Sequence, residues 1–537
     1  MRQLITLVTV LSVFFASCQS KGGITPVQQL NLNIPSDPAT LDPRKGGDLV
    51  SSMLHFLLFE GLVRLNQEGV AIPSLAERIE ISENRKIYTF HLRDTQWSDG
   101  SPMRALDVEK SWKDILAPDF PAANAHLLYP VLNGQAYKMG EVERDEVGIR
   151  AINDHTLEVT LIRPTPYFLE LIAFCVCFPV NAELDRTNPD WEQETGEQFV
   201  CSGPFTLANW KHNNEILLVK NPHFWGKDSV RLEAIKISMV NDEMTALQMY
   251  EKGEIDILGN PLASLPSDAV PELKRQGKLH IRPVAASTFC CFNLNQPPFN
   301  NVNIRKAFAY AIDREQIVNN ITQLSEVPAL SMIPPVLKKW KKDLFFQDAD
   351  TEKARFHLKK GLEELGLTRK DFPQITYHYS SSEQQKKVSQ ALQQQWHSVL
   401  GIQVELEGCD NKVVMQMLKM GNYSMAQASW MAQYHDPMNI FERFQYADNV
   451  KNYSNWENEE YVRLLNLSSQ AETEESRAAI FQQAEEVFLQ EMPIAPIFHW
   501  NSVFMAHDYV KRFDLAPIGD GFFERVYIDI EAKGVWR

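Results

Sequence analysis

Residues 88–112 read YTFHLRDTQWSDGSPMRALDVEKSW, and the periodicity changes halfway along. Tyr88, Phe90 and Leu92 alternate with Thr89, His91 and Arg93, the period of two of a half-buried strand. Ser98, Asp99 and Gly100 then supply turn chemistry. Beyond Pro102, Val108, Trp112 and Ile115 fall at i, i+4 and i+7, one face of a helix. The stretch is predicted as strand, turn and helix, with Trp97 at the turn. Periodicity alone makes it an ordinary α/β unit.

Similar units lie on both sides. Leu30, Leu32 and Ile34 alternate as a first strand, and 156–161, 215–219 and 234–240 read as others. Phe174 to Pro179 is continuously apolar and expected to be buried, with Cys175 and Cys177 on one strand face. Met244 to Lys252 is a short helix stopped by Gly253. Asn303 is expected to cap a helix that carries Ile304, Phe308 and Ala311 on one side. Asp350 to Leu365 is a second helix, ended by Gly366. The segments 375–379, 388–400 and 403–406 have β-α-β order, which implies parallel strands and a right-handed crossover. Helix 413–420, Gly421 and strand 423–428 follow, then helix 476–491 and an apolar strand from Pro493 to Phe498. The order strand, loop, helix, Gly, strand occurs at 234–256 and again at 403–428, which would fit one unit in each of two lobes.

A chain of 537 residues exceeds one compact core, so two or three domains are expected. Hydrophobic content of 44% and charged content of 23% are those of a soluble globular protein. The net charge of -16, without any basic run, argues against nucleic acid. Hydrolase and nucleotide motifs are lacking: no G-x-S-x-G, H-E-x-x-H or P-loop occurs. Paired carboxylates such as Glu363 and Glu364 fit a solvated helix face, so the two-carboxylate chemistry of a glycosidase has no motif behind it. The 13 histidines show no ligand spacing, and neither a metal nor a cofactor is expected.

At the N-terminus, Arg2 precedes an apolar run from Leu4 to Phe15 that is too short to span a membrane. It reads as a secretory signal. Ala16 and Ser17 directly before Cys18 resemble the bacterial lipoprotein box, with Phe15 where Leu is typical. Cleavage there would leave a lipid on Cys18; the alternative is a plain signal cut near Ser20. Export permits disulfides among Cys175, Cys177, Cys201, Cys290, Cys291 and Cys409. Buried free thiols are the preferred reading.

The order of residue types carries more than the periodicity. Tyr-Thr-Phe-x-Leu-Arg, then Trp-Ser-Asp-Gly, then Asp-Val-x-x-Ser-Trp resembles the signature of the extracytoplasmic oligopeptide-binding proteins of ABC transporters. Arg104 departs from it, where that family usually has Thr. The resemblance continues through Pro38 to Pro43, Leu57 to Leu62, Ser202-Gly203-Pro204-Phe205, Asn221-Pro222-x-Phe224-Trp225 and Pro493 to Phe498, in the family's order. It implies an α/β, bilobal periplasmic-binding-protein fold with an extra inserted subdomain. After a signal peptide (1–17) and a tether (18–29), lobe I would combine 30–60, 185–275 and 506–537. Subdomain II would be 61–184, and lobe II (domain III) 276–505.

The resemblance also implies a function: capture of short peptides between the lobes and delivery to an inner-membrane ABC permease, by a monomer held at the membrane only through its lipid. Cell-wall muropeptides, or a non-peptide solute such as haem or a nickel chelate, are the alternatives. Trp430-Met431-Ala432-Gln433-Tyr434-His435-Asp436-Pro437 follows a strand, where clefts of open sheets form. In the family this segment lines the cleft, and an aspartate pairs with the peptide's α-ammonium. Here that position is Gln433, which carries no charge, and Asp436 is either a substitute or the cap of a following turn. Trp430 and Tyr434 are expected to border the ligand, Trp430 as an apolar wall. Gly47 and Asp48, beside Gly46, match the family's loop near the ligand, and Asn293 is placed at the site as well.

Overall fold

The computed structural model describes residues 28–340, 345–519, 521 and 523–536. The signal, Cys18 and the tether up to residue 27 lie outside the described residues. Among the described residues no helix is long and apolar enough to cross a membrane.

Three main sheets organise the chain. In the first, Gln29–Ile34 pairs parallel with Ala234–Met239, and Glu215–Lys220 and Phe205–Lys211 add on antiparallel. The second is antiparallel, in the order Ala76–Ile81, Ile87–Leu92, Thr156–Thr160, Ile149–Asn153. The third runs Ile257–Gly259, Ile494–Ala506, His280–Phe292, Met425–Met431, Ile375–Ser380, Val404–Cys409, with Val327–Pro328 also paired to Ile494–Ala506.

The stretch at 88–112 forms as its periodicity predicts. Tyr88, Phe90 and Leu92 face the core of the second sheet, and helix Ala105–Ile115 lays Val108, Trp112 and Ile115 on it, each at 0% exposure. Trp97 is buried at the turn, and Trp112 Nε1–H donates to the Cys177 carbonyl at 2.7 Å. Arg104 brings no acceptor to the helix start; Asp107 supplies one by accepting the Arg104 N–H at 2.8 Å.

The β-α-β order also holds: Ile375–Ser380 and Val404–Cys409 are parallel neighbours joined by helix Glu383–Leu400. Helices Thr351–Leu365 and Asn411–Met420 end on Gly366 and Gly421 in left-handed conformation, which an L side chain would resist.

Three local expectations are corrected. The cap of helix Val302–Tyr310 is Asn301, whose Oδ1 accepts from the Asn303 and Ile304 amides; Asn303 sits inside the first turn and donates to Glu364. Cys175–Cys177 is a short 3-10 turn rather than a strand, so the thiols separate. Cys175 packs into the core of the first sheet and Cys177 into that of the second, because this segment runs along their boundary. The repeated order is not a structural repeat either. Ala234–Met239 and Ile257–Gly259 lie in different sheets, and Ile375–Ser380 separates Val404–Cys409 from Met425–Met431.

Two long antiparallel strands, His280–Phe292 and Ile494–Ala506, link the lobes. Their register shifts between Pro283 and Ser287, where Pro283 has no N–H to give the ladder. At their first-lobe end, Asp256 is fully buried and accepts from Asn31 N–H at 2.7 Å, Tyr509 O–H at 2.8 Å and Lys533 at 2.8 Å. One carboxylate thus ties the first strand and the C-terminal tail to the start of the crossover. Ile257–Gly259 belongs to the seven-stranded sheet although its span was assigned to lobe I, because Ile494–Ala506 extends far enough to pair with it.

Candidate functional site

A cavity of about 80 Å³ lies where the first lobe meets the long strands. Helix Leu49–Leu58 supplies Leu49, Ser52, Met53 and Phe56; the crossing strands supply Val284, Trp500, Asn501 and Ser502. Met431 closes one side from the end of its strand, and Ile518 and Gly519 close another from the tail. Asp48 starts the helix by accepting the Ser51 N–H at 2.9 Å. None of the described residues lining the cavity is charged. The mostly apolar wall with a few polar groups is that of a ligand site.

Behind the wall the polar groups are satisfied internally. Trp500 Nε1–H donates to Thr288 Oγ1 at 2.8 Å, and Thr288 Oγ1 lies 3.0 Å from Ser429 Oγ. Ser287 Oγ lies 2.7 Å from His499 Nδ1. Burial, with Lys338 nearby, pushes the His499 pKa down to about 3, so this imidazole is neutral. The pair holds the strands together without adding charge to the cavity.

The segment after Met431 does something different. Gln433 is clamped: its Nε2–H donates to Asn124 Oδ1 at 2.5 Å, and its Oε1 lies 3.1 Å from His126 Nε2. Asn124 Nδ2–H in turn donates to the Gly46 carbonyl at 3.1 Å. A Cβ at Gly47 would stand 3.1 Å from Ala123 Cβ. The 46–48 loop, the 123–126 loop and Gln433 therefore meet at one junction. Burial, together with Lys451, whose Nζ is 3.3 Å from His126 Nε2, drives the His126 pKa down to about 4. Asn124 and His126 had no sequence signal, since 118–148 shows only loop composition.

Other expected site residues take structural roles. Asp436 is buried and paired with Arg477 (2.5 and 2.8 Å), and it caps the following turn by accepting the Met438 N–H at 2.9 Å. Its charge is met inside the protein and cannot replace the missing aspartate. Tyr434 is fully buried, stacks on Tyr167 with centroids 5.3 Å apart, and donates to Glu442 at 2.8 Å. Asn293 is buried at the other end of the strand pair from Met431, with its amide donating to the Gly421 and Tyr423 carbonyls at 2.9 Å. Trp430 is no bare apolar wall. Its ring carries the Arg443 guanidinium at 4.4 Å and the Lys451 ammonium at 4.8 Å, and its Nε1–H donates to Asn439. Alternation along the strand turns Met431 to the cavity and Trp430 to the opposite side.

Two lobes, a pair of crossing strands and a mostly apolar cavity beside them are the parts of a bilobal solute receptor. The chain belongs to the bacterial extracellular solute-binding proteins, family 5, whose model ("family 5 Middle") matches residues 70–452. It is 36% identical to the oligopeptide-binding protein OppA of Bacillus subtilis (strain 168), over 98% of each chain. The structure resembles the Escherichia coli murein tripeptide-binding protein MppA, with TM-score 0.79 and 26% identity over 94% of this chain and 98% of that one. It also resembles Listeria monocytogenes OppA bound to peptide, with TM-score 0.76 and 27% identity over 94% and 99%. These relatives are binding proteins, not enzymes.

Proposed function

We propose that this chain is an extracytoplasmic lipoprotein that captures short peptides in the interlobe cavity and delivers them to an inner-membrane ABC permease. It would act as a monomer, held at the membrane through a lipid on Cys18. The observation that carries the reading is the cavity against the crossing strands, whose described lining residues carry no charge, in a chain alike over its whole length to an oligopeptide-binding protein. A peptide held there through its backbone offers amides that every sequence shares. The described lining residues, being uncharged, impose no charge preference on its side chains. Closure of the lobes around it is a hinge motion of the long strands. Gly47 and Gln433 would border the ligand around the junction, with Gln433 as an uncharged neighbour to its amino end, while Asp48 and Trp430 support the lining residues Leu49 and Met431 from behind.

The lack of charge at Gln433 favours one second reading, a muropeptide cargo, in line with the likeness to a murein tripeptide receptor. Mass spectrometry of ligand released from native protein identifies the cargo class. Added di- to pentapeptides are expected to raise the thermal midpoint, as a ligand that binds only the native state must. If no peptide or murein tripeptide moves the midpoint, the peptide reading is wrong. Cys18→Ala is expected to leave folding intact and release the protein into the soluble fraction; a variant still membrane-bound after a salt wash contradicts the anchor.

A further inference from the structure

The outer edge of the seven-stranded sheet brings together three side chains that sequence spacing keeps apart. His378 and Glu407 are register partners on parallel neighbours, and Ser380 and Cys409 form the pair two residues on. Residues two apart on a strand share a face. Ligand atoms of His378, Glu407 and Cys409 accordingly lie within 4.8 Å of one another. His378 Nδ1 is 3.4 Å from Glu407 Oε2, and Cys409 Sγ is 3.8 Å from Glu407 Oε1.

A second observation points to a ligand. His378 is only 7% exposed, and its Nδ1 is shielded from solvent without a hydrogen-bond partner. A buried ring nitrogen left unpaired is costly and calls for a partner. Glu407 Oε2, 3.4 Å away, forms no hydrogen bond with it, so this nitrogen is left unsatisfied in either neutral tautomer. A metal ion satisfies both groups together.

We propose that His378, Glu407 and Cys409 form a binding site for one divalent transition-metal ion, with zinc the best fit. One nitrogen, one oxygen and one sulfur are a zinc ligand set, and the fourth position is left for water. With bonds of about 2.0–2.3 Å, tetrahedral ligand atoms stand roughly 3.3–3.7 Å apart, so the cluster must contract by about 1 Å. Glu407 is exposed and Cys409 partly so, and both can turn towards the fixed imidazole. The thiolate is the form that binds metal, so uptake of the ion releases the Cys409 proton. Two strands, Met425–Met431 and Ile375–Ser380, separate this edge from the crossing strands that wall the cavity. The ion clamps an otherwise open edge strand to its neighbour, a role independent of cargo.

The test titrates the full mature chain with cobalt as a spectroscopic stand-in for zinc. A thiolate-to-cobalt charge-transfer band is expected, saturating at one equivalent and erased by zinc, and zinc alone should raise the thermal midpoint. Cys409→Ser, at the half-exposed edge, should abolish the band; His378→Gln and Glu407→Gln should each weaken zinc binding at least tenfold. Peptide binding should be unchanged in Cys409→Ser, which keeps this proposal separate from the cleft. Absence of a thiolate band, or zinc binding at one equivalent by Cys409→Ser and His378→Gln with wild-type affinity, overturns the site.

Discussion

The inserted subdomain meets the rest of the molecule along two seams of opposite chemistry. Against the first lobe the seam is ionic. Across it Arg44 pairs with Asp114 at 3.3 Å and Lys110 with Asp185 at 2.5 Å; Asp42 and Asp185 hold Arg44 from its own lobe at 2.8 and 2.6 Å, and Asp114 holds Lys110 within the subdomain at 2.7 Å. The side chains of Arg44 and Asp42 are 3% and 1% exposed. Against the other lobe no ion pair crosses among the described residues, and the charged groups that reach over, Lys451, Arg85 and Arg163, meet uncharged partners. Gln433 meets Asn124 and His126, Tyr434 stacks on Tyr167 with an interplanar angle of 4°, and His435 sits 3.0 Å from both the Gly69 and Val336 carbonyls. Burial lowers the His435 pKa, so at neutral pH the ring donates to only one of them.

The difference decides which seam can move. Parting a buried ion cluster leaves uncompensated charge at a cost of several kcal/mol. Parting neutral hydrogen bonds exchanges them for water, at about 1 kcal/mol each. The subdomain is therefore expected to travel with the first lobe, with the opening along Gln433, Tyr434 and His435.

Breaking the ionic seam should have the largest effect. Arg44→Ala leaves Asp42 and Asp185 without their shared cation and should cost about 3–5 kcal/mol of stability in denaturant unfolding. Despite burial, Arg44 and Lys110 hold the Asp185 carboxyl well below the ordinary carboxylate range. Its stabilisation is present above the unfolded pKa and is lost as pH falls through the lower folded value. Arg44→Ala should flatten that acid limb; a loss under 1 kcal/mol would make the two seams equivalent.

The second seam carries the reverse pH signature. Burial raises the Glu442 pKa to about 7, against the Tyr434 and Lys451 contacts that lower it. A carboxyl raised in the folded state stabilises fully below its unfolded pKa, and that contribution is lost as pH rises through the folded value. Between pH about 4.5 and about 7 this amounts to roughly 2 kcal/mol after discounting partial exposure. Glu442→Gln should remove that slope, as read from thermal midpoints across the range.

Gly69→Ala targets closure alone. Gly69 has φ +78°, and a Cβ there would collide with the His435 ring. Peptide affinity should fall about tenfold, with a small change in the midpoint. Gln433→Ala is the mildest break. Loss of its neutral contacts across the seam should weaken peptide about fivefold, near 1 kcal/mol, and leave unfolding almost unmoved.

Much of the scaffold was legible because it is local. The faces of Val108, Trp112 and Ile115, and the helix ends at Gly366 and Gly421, depend only on neighbours in sequence. The cap moved from Asn303 to Asn301 because two asparagines, two residues apart, satisfy the same rule. The site was legible to within a residue: Leu49 and Met431 line the cavity, while Asp48 and Trp430 beside them face elsewhere. What governs Gln433 was hidden, since His126 lies 307 residues away in a loop without a pattern. Cys409 and His378 share a strand register rather than a motif, which is why histidine spacing showed no cluster.

A covalent lock on the opening seam tests the account most directly. A Cβ at residue 69 would lie within bonding reach of the side chain at 435, so Gly69→Cys with His435→Cys, in a Cys409→Ser background, places two thiols at disulfide range. The measurement is calorimetric titration of the ligand-free protein with a binding peptide, oxidised and then reduced. The account predicts no heat of binding while the disulfide holds the seam shut and restored binding after reduction. Equal binding in both states would show that peptide reaches its site without parting this seam, and would contradict the assignment of the neutral seam as the one that opens.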